Sequence, residues 1–303
     1  MIIYYRYKEI NKSKWDDCIK KSSNGIVYAF SWYLDIVCEN WEALVEDDYE
    51  TVFPLTAMKK YGINYLYQPF FAQQLGIFSI NKINKTKIEQ FLNKIPVKYK
   101  YIDISLNIQN SIDFVSNQFR KKVNITYELE LFKPYEEIYQ YFSTNTRRNV
   151  KKARESGIKI IEGIQPDDWI DLKKKVTKIN LKVEHYNTLR KIILYSLSQK
   201  TGKILGAFNR KNKLCAAAFF ITSHHKSIYL LSASDREIKN KGAMFLLIDH
   251  FIKTNSGQNL VLDFEGSNIE GLARFFSSFG ATAKEYFRIK QNRLPWFVKF
   301  LKK

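Results

Sequence analysis

Ile102-Asp103-Ile104 and Leu262-Asp263-Phe264 are one short phrase written twice. The first opens a stretch through Asn107, Ile108, Ile112, Val115 and Phe119. The second runs through Ser267, Asn268, Leu272, Phe275 and Phe279, each position 160 residues from its counterpart with no gap. Each stretch reads as a short buried strand ending near an Asp, then a turn, an amphipathic helix and a charged strand. Ile108, Ile112, Val115 and Phe119 fall at helical spacing, as do Asn268, Leu272, Phe275 and Phe279.

A looser match lies upstream. Trp41 to Val45 and Thr51 to Met58 read as a hairpin, followed by a strand from Ile63 to Tyr67. Lys203 to Phe208, Leu214 to Thr222 and Ser227 to Ser232 repeat that order at an offset near 163. Two coincidences in the same order imply a duplication. The fold class is then mixed α+β, a twisted mixed sheet flanked by helices and occurring twice, over residues 1–133 and 134–303. Pro134 suits the first turn of a helix at the start of the second half. Helices are expected at Ser31 to Cys38, Thr86 to Asn93, Tyr135 to Phe142, Asn145 to Ser156, Asp167 to Lys178, His185 to Ser198, Lys241 to Thr254 and Asn268 to Ser278. No low-complexity linker separates the halves, so they are expected to pack together, with a cleft as the ligand site.

Composition excludes several classes. The chain has 303 residues, 45% apolar and 26% charged, which describes a folded chain with ample core. Its longest apolar stretch, near Leu214 to Ile221, is well short of the roughly 20 residues of a membrane-spanning helix. Met1 to Tyr7 is strand-like and carries Arg6, unlike a secretory signal. Cys18, Cys38 and Cys215 are too few and too scattered for a disulfide framework or a zinc site, and none of the four histidines stands in an HExxH pattern. No metal is expected, and a reducing cytoplasm is the natural setting. The net charge of +19 suits an acidic or phosphorylated partner; it equally suits the Lys, Ile and Asn bias of an AT-rich genome.

Four segments carry chemistry. Arg236 to Met244 joins a strand to a long helix with Gly242 at the entrance. Backbone N–H groups there, with Lys239 and Lys241, can face a pyrophosphate, or the segment is an ordinary turn. In Asp263-Phe264-Glu265-Gly266-Ser267, strand alternation puts Asp263 and Glu265 on one face. Two carboxylates there can accept a proton from an amine or orient it, or Asp263 caps the turn. Arg147, Arg148, Lys151, Lys152 and Arg154 place five cations on one helix, a face for phosphate or RNA or a merely solvated one. Finally, Leu294 to Lys303 mixes aromatics with lysines and either touches a membrane surface or packs on the second half.

The order of strand, Lys239-Asn240-Lys241-Gly242-Ala243, helix, strand, Asn268, then Phe276 to Gly280 resembles the GNAT acyltransferase superfamily. The doubling and the basic helix resemble its FemAB branch of tandem aminoacyl- and acyltransferases, as do Phe30-Ser31-Trp32 and Tyr67 to Gly76. The chain is also similar to GNAT-type proteins of Bacteroidetes-like bacteria. The resemblance implies two tandem GNAT-like domains, a degenerate first copy on the acceptor side and a second with the donor site. It implies transfer of an activated acyl group to an amine, from acyl-CoA, an acyl carrier protein or an aminoacyl-tRNA, with no tightly bound cofactor. Lys239, Lys241, Gly242 and Ala243 would hold the donor phosphate. Asp263 and Glu265 would receive or orient the amine. Arg147, Arg148, Lys151, Lys152, Gln73 and Gln74 would contact substrate. Three departures stand out: Lys239 replaces the family's Gln or Arg, Met244 its second Gly or Ala, and Phe276 the tyrosine that many members use as general acid. The alternative is a scaffold that has kept only a basic face for RNA or another polyanion.

Overall fold

The computed structural model describes residues 1–112, 118–176, 181–235, 242–266 and 268–295. Val115, Lys239, Lys241, Ser267 and the run from Trp296 to Lys303 lie outside the described residues. The chain begins with β1 (Ile2–Tyr5), α1 (Lys12–Lys21), α2 (Ser31–Val37), β2 (Glu42–Glu46), β3 (Thr51–Leu55), β4 (Ala57–Lys60) and β5 (Ile63–Tyr67). There follow β6 (Phe78–Ser79), α3 (Lys85–Asn93), β7 (Tyr99–Ser105) and β8 (Arg120–Glu130). Then come α4 (Tyr135–Gln140), α5 (Thr144–Glu155), β9 (Lys159–Glu162), α6 (Pro166–Val176), α7 (Val183–Ser198), β10 (Gly202–Phe208), β11 (Leu214–Ser223) and β12 (Lys226–Ser234). The chain continues with α8 (Ala243–Asn255), β13 (Val261–Gly266), α9 (Glu270–Ser277) and β14 (Thr282–Asn292).

Two compact units divide this chain: Met1–Ile125 with Glu285–Lys303, and Thr126–Lys284. They do not follow a cut at 133/134, and the reason is strand exchange. In the first unit β7 pairs antiparallel with β14, setting Asp103 opposite Lys290. In the second, β13 pairs antiparallel with β8, setting Asp263 opposite Glu128. Each repeated Asp-bearing strand is therefore flanked by a strand that chain order assigns to the other half.

The first unit holds a sheet in the order β1-β2-β3-β6 and strands in the order β4-β5-β7-β14. Helix α1, lysine-rich and unexpected from the sequence, forms because Trp15, Cys18 and Ile19 fall on one buried face, with Asn11 capping the Lys14 N–H at 3.1 Å. Strands β5 and β7 run parallel up to Tyr67 and Asp103. Beyond that point the segment from Gln68 to Ile77 closes over β7. Gln68 Oε1 accepts the Ser105 N–H at 2.8 Å, and the Leu75 N–H donates to the Ser105 carbonyl at 2.9 Å.

The expected helix at Ile108 does not form over residues 108–112. Side chains compete for its backbone: Asn107 Oδ1 accepts the Gln109 N–H at 3.0 Å, and Gln74 Oε1 accepts that of Ile108 at 3.0 Å. Asn110 reaches back to the Ile77 N–H at 2.7 Å. Gly76, at φ +106, makes room for it, since a β-carbon there would stand 2.3 Å from Asn110 Oδ1. Ile112 and Phe119 are nonetheless buried, so the apolar spacing marked core without marking helix.

The second unit has strands in the order β8-β13-β12-β11-β10-β9. Its pairings are antiparallel except that of β12 with β13. Helices α6, α7 and α8 pack on these strands, and β11 is buried over most of its length. This is why Leu214 to Ile221 reads as a continuous apolar run rather than an alternating one. Its core continues through Phe142, Val150, Leu247, Phe251, Phe264 and Phe279.

Candidate functional site

The parallel pairing of β12 with β13 is brief. Lys226, Ser227 and Ile228 oppose Val261, Leu262 and Asp263, and no registered pair follows. Past that point Tyr229 to Ser234 on one strand and Phe264 to Gly266 on the other form opposite walls of a cavity of about 870 Å³. A parallel pair that separates leaves unpaired backbone groups and space for a ligand where the strands diverge.

A bulge in β13 decides which side chains reach this cavity. Its register against β8 shifts between Asp263 and Gly266, and Glu265 has φ +59. Regular alternation ends there. Phe264 and Glu265 therefore both line the cavity, and Asp263 does not. This corrects the expectation of two carboxylates on one face. Asp263 is 2% exposed; its Oδ1 accepts from the Thr126 hydroxyl at 2.6 Å and the Glu265 N–H at 2.9 Å. Lys226 Nζ stands 3.6 Å from its Oδ2 and is also paired with Glu128. Burial pushes the Asp263 carboxyl up, while Asp263 and Glu128 raise Lys226 and keep it charged. Asp263 is thus built into the turn that carries Glu265.

Helix α8 begins beside this opening. Gly242 is its N-cap at φ +75 and, as a glycine, offers no side-chain cap. Of the expected donor-phosphate residues within the described chain, Ala243 is 1% exposed and belongs to the core. Neither Gly242 nor Ala243 lines the cavity; the next two residues, Met244 and Phe245, do.

The basic helix α5 is capped by Ser143, which accepts the Thr146 N–H at 3.1 Å, and it buries Thr146, Val150 and Ala153. Arg147, Arg148, Lys151 and Lys152 are exposed. Arg148 donates to Asn145 at 3.1 Å, and Lys151 lies 3.8 Å from Glu155. Arg154 leaves the cationic face: it pairs at 2.7 Å with the buried carboxylate of Asp249, which also accepts from the Tyr135 hydroxyl at 2.6 Å. Asn145, on the first turn, reaches the cavity wall.

Gln73 and Gln74 lie on the closing segment of the first unit. Gln74 is 2% exposed; its oxygen is taken by Ile108 and its Nε2 donates to Gln73 Oε1 at 2.7 Å. Its amide oxygen and one of its N–H groups are thus engaged within the protein.

The backbone course has clear counterparts among solved structures. FemX superposes with a TM-score of 0.69 over 95% of this chain and 96% of its own, at 13% identity. The fold is FemX-like. A conserved protein of unknown function from Bacteroides thetaiotaomicron matches with a TM-score of 0.59, covering 96% of this chain and 99% of its own at 14% identity. The C-terminal domain of a putative lysylphosphatidylglycerol synthetase from Agrobacterium fabrum gives 0.55, covering 93% and 92% at 8% identity. No protein-family model matches the sequence, and no curated protein does.

Phe276, which the resemblance set at the family's tyrosine position, lines the cavity. It is 4% exposed and stacks on Phe264 with ring centroids 5.0 Å apart. Two polar residues of the cavity escaped the sequence reading. Tyr229 is buried, which pushes its phenol up and keeps it neutral, and its hydroxyl lies 3.4 Å from the Met244 sulfur. Lys173 reaches from α6 to the Ser232 carbonyl at 2.8 Å. A signal for Lys173 existed: it stands one helical turn after the buried Trp169 and three residues after Ile170, on the apolar face. Its neighbours Lys174 and Lys175 hide it in a run that reads as solvated.

Proposed function

We propose that the chain is a GNAT-type transferase that moves an activated acyl group onto an amine acceptor, with its centre in the second unit. The observation that carries this reading is the cavity at the β12–β13 divergence, which Glu265, at the bulge, helps to line. The acyl group lies between the diverging strands. The acceptor amine attacks the acyl carbonyl; a C–N bond forms and the C–S or C–O bond to the donor breaks. Glu265 takes the proton lost by the amine, and the leaving thiolate or alkoxide takes up a proton in turn. Asp263 acts as a positioning residue through the Glu265 N–H. Holding both reactants in one slot supplies much of the acceleration, up to about 7–11 kcal/mol in ideal cases.

The donor is an acyl-CoA, an acyl carrier protein or an aminoacyl-tRNA. The first turn of α8, with a glycine at its N-cap and Lys239 and Lys241 before it in sequence, suits its phosphate. Arg147, Arg148, Lys151 and Lys152 suit an anionic acceptor or the RNA of the donor. A reducing cytoplasm suits the three buried free cysteines. Among the described residues no helix is long and apolar enough to cross a membrane. A second reading, a polyanion-binding protein without transfer, is favoured by one observation: those four cations are exposed on one helix.

Mass spectrometry of an amine panel incubated with acyl-CoA donors or with charged tRNA tests the proposal. Transfer that is lost in Glu265→Gln supports it. RNA binding with no transfer from any donor supports the second reading.

A further inference from the structure

Lys173 is the feature of the cavity that the transfer chemistry leaves unused. Its stem crosses from α6 to β12, and its ammonium donates to the Ser232 carbonyl. Among the described residues no carboxylate stands within 4.0 Å of it. Two other buried charges are paired: Lys226 has Glu128 and Asp263, and Asp249 has Arg154 and Tyr135. A desolvated ammonium with only a backbone carbonyl retains two donors and an uncompensated charge. Two residues along β12, on the same face as Ser232, the Ser234 hydroxyl is also buried and bonds to no described group. Both residues line the cavity.

Much of the remaining lining is apolar, with Asn145, Tyr229, Glu265 and Arg274 among its other polar members. Met244, Phe245, Phe275 and Phe276 are apolar, and Leu272 and Ile269, 44% and 65% exposed, stand on α9 and at its start. The volume of about 870 Å³ is near the top of the range of roughly 300–1,000 Å³ for small-molecule sites. An acetyl group would leave most of that apolar surface wet.

We propose that the cavity takes a medium- or long-chain aliphatic acyl group, roughly eight carbons or more, whose carbonyl or carboxylate oxygen is held by the Lys173 ammonium and the Ser234 hydroxyl. This deepens the transferase reading by naming the acyl class, and it rests on that reading for its place in a reaction. The chemistry is that of an amphiphile: the Lys173 ammonium for the oxygen end, and thioether, leucine and aromatic surface for the chain. Burial lowers the Lys173 pKa, as expected for a cation waiting for an anionic partner.

Titration calorimetry of the full chain with acetate, octanoate, decanoate, dodecanoate and dodecanol, each below its micelle concentration, tests this without any transfer step. Acetate should give no measurable binding, and affinity should rise about three- to fourfold per added methylene. Lys173→Met should weaken dodecanoate at least tenfold and leave dodecanol within about twofold, while Lys173→Arg keeps most of the affinity. Leu272→Glu, on an exposed side chain, should flatten the chain-length dependence whether or not the Lys173 variants fold. Affinity independent of chain length, or dodecanoate binding unmoved by Lys173→Met, overturns the inference. Wild-type protein that binds dodecanoate in this pattern but transfers to no amine would sink the transferase reading alone. Transfer confined to acetyl, with no chain-length dependence, would sink the inference alone.

Discussion

A β-carbon on Gly242 would stand 2.3 Å from the carbonyl oxygen of Asn149. The glycine at the entrance of α8 is therefore required by the close approach of α5, before any ligand is considered. Its φ of +75 adds a second reason. Gly242→Ala should cost about 2–4 kcal/mol of unfolding free energy, the left-handed penalty plus overpacking against backbone. Urea unfolding measures it. Unchanged stability with impaired donor binding would show that the glycine serves the ligand instead.

Asp263 and Glu265 should separate cleanly by mutation. Asp263→Ala leaves Lys226 and the Thr126 hydroxyl around an empty buried position and should destabilise by about 3–5 kcal/mol. Glu265→Gln keeps the turn and should leave the unfolding midpoint close to that of the parent. Its turnover should fall about 10²–10⁴-fold if the carboxylate takes the proton. Comparing denaturation curves with single-turnover rates distinguishes the two residues; equal loss of stability in both would remove the division of roles.

Lys173 gives a pH-dependent signature. Burial lowers its pKa, so the folded protein holds this proton less tightly than the unfolded chain. Its contribution to stability is fully present above the ordinary lysine value of 10.5 and is lost as pH falls through the folded value. Near pH 7 the charged, desolvated ammonium lowers stability. Lys173→Met should accordingly be more stable than the parent at pH 7, and the difference should shrink as pH approaches 10.5. Urea midpoints at the two pH values check it, and a less stable variant at pH 7 would mean that the lysine is a structural support.

The basic helix divides in two. Arg147→Glu, Arg148→Glu and Lys152→Glu together should change stability by no more than about 0.5 kcal/mol per site. If the face binds single-stranded RNA, the salt slope of binding should drop by about 0.7 for each phosphate that the protein no longer neutralises. Arg154→Ala should instead cost about 1–3 kcal/mol, because among the described residues buried Asp249 then keeps only Tyr135. Filter binding across a salt series and thermal unfolding separate the two effects.

The sequence was informative wherever local periodicity and burial agree. The repeated Asp-bearing strands, the strands from Lys203 to Ser232 and the helices from Ser31 onward were legible because apolar spacing follows from which face meets the core. It misled at Ile108, where the side chains of Asn107 and Gln74 take backbone N–H groups that a helix would use. It also passed over α1, whose lysines mask a short apolar face. Within the site, Glu265 was legible as a carboxylate at the end of a strand. Its partner was not, because alternation fails at a bulge that only the register against β8 creates.

By itself the sequence determined a mixed α+β chain, the apolar faces of most of its helices, and a cluster of cations on one of them. The tertiary structure decided which strand completes each unit, that Asp263 is buried while Glu265 reaches the cavity, and that Lys173, alone in its lysine run, turns inward. The physical reason is common to all three. Strand exchange, a register slip and the desolvation of one side chain depend on groups more than a hundred residues apart or on another element altogether, and no local window of sequence contains both partners.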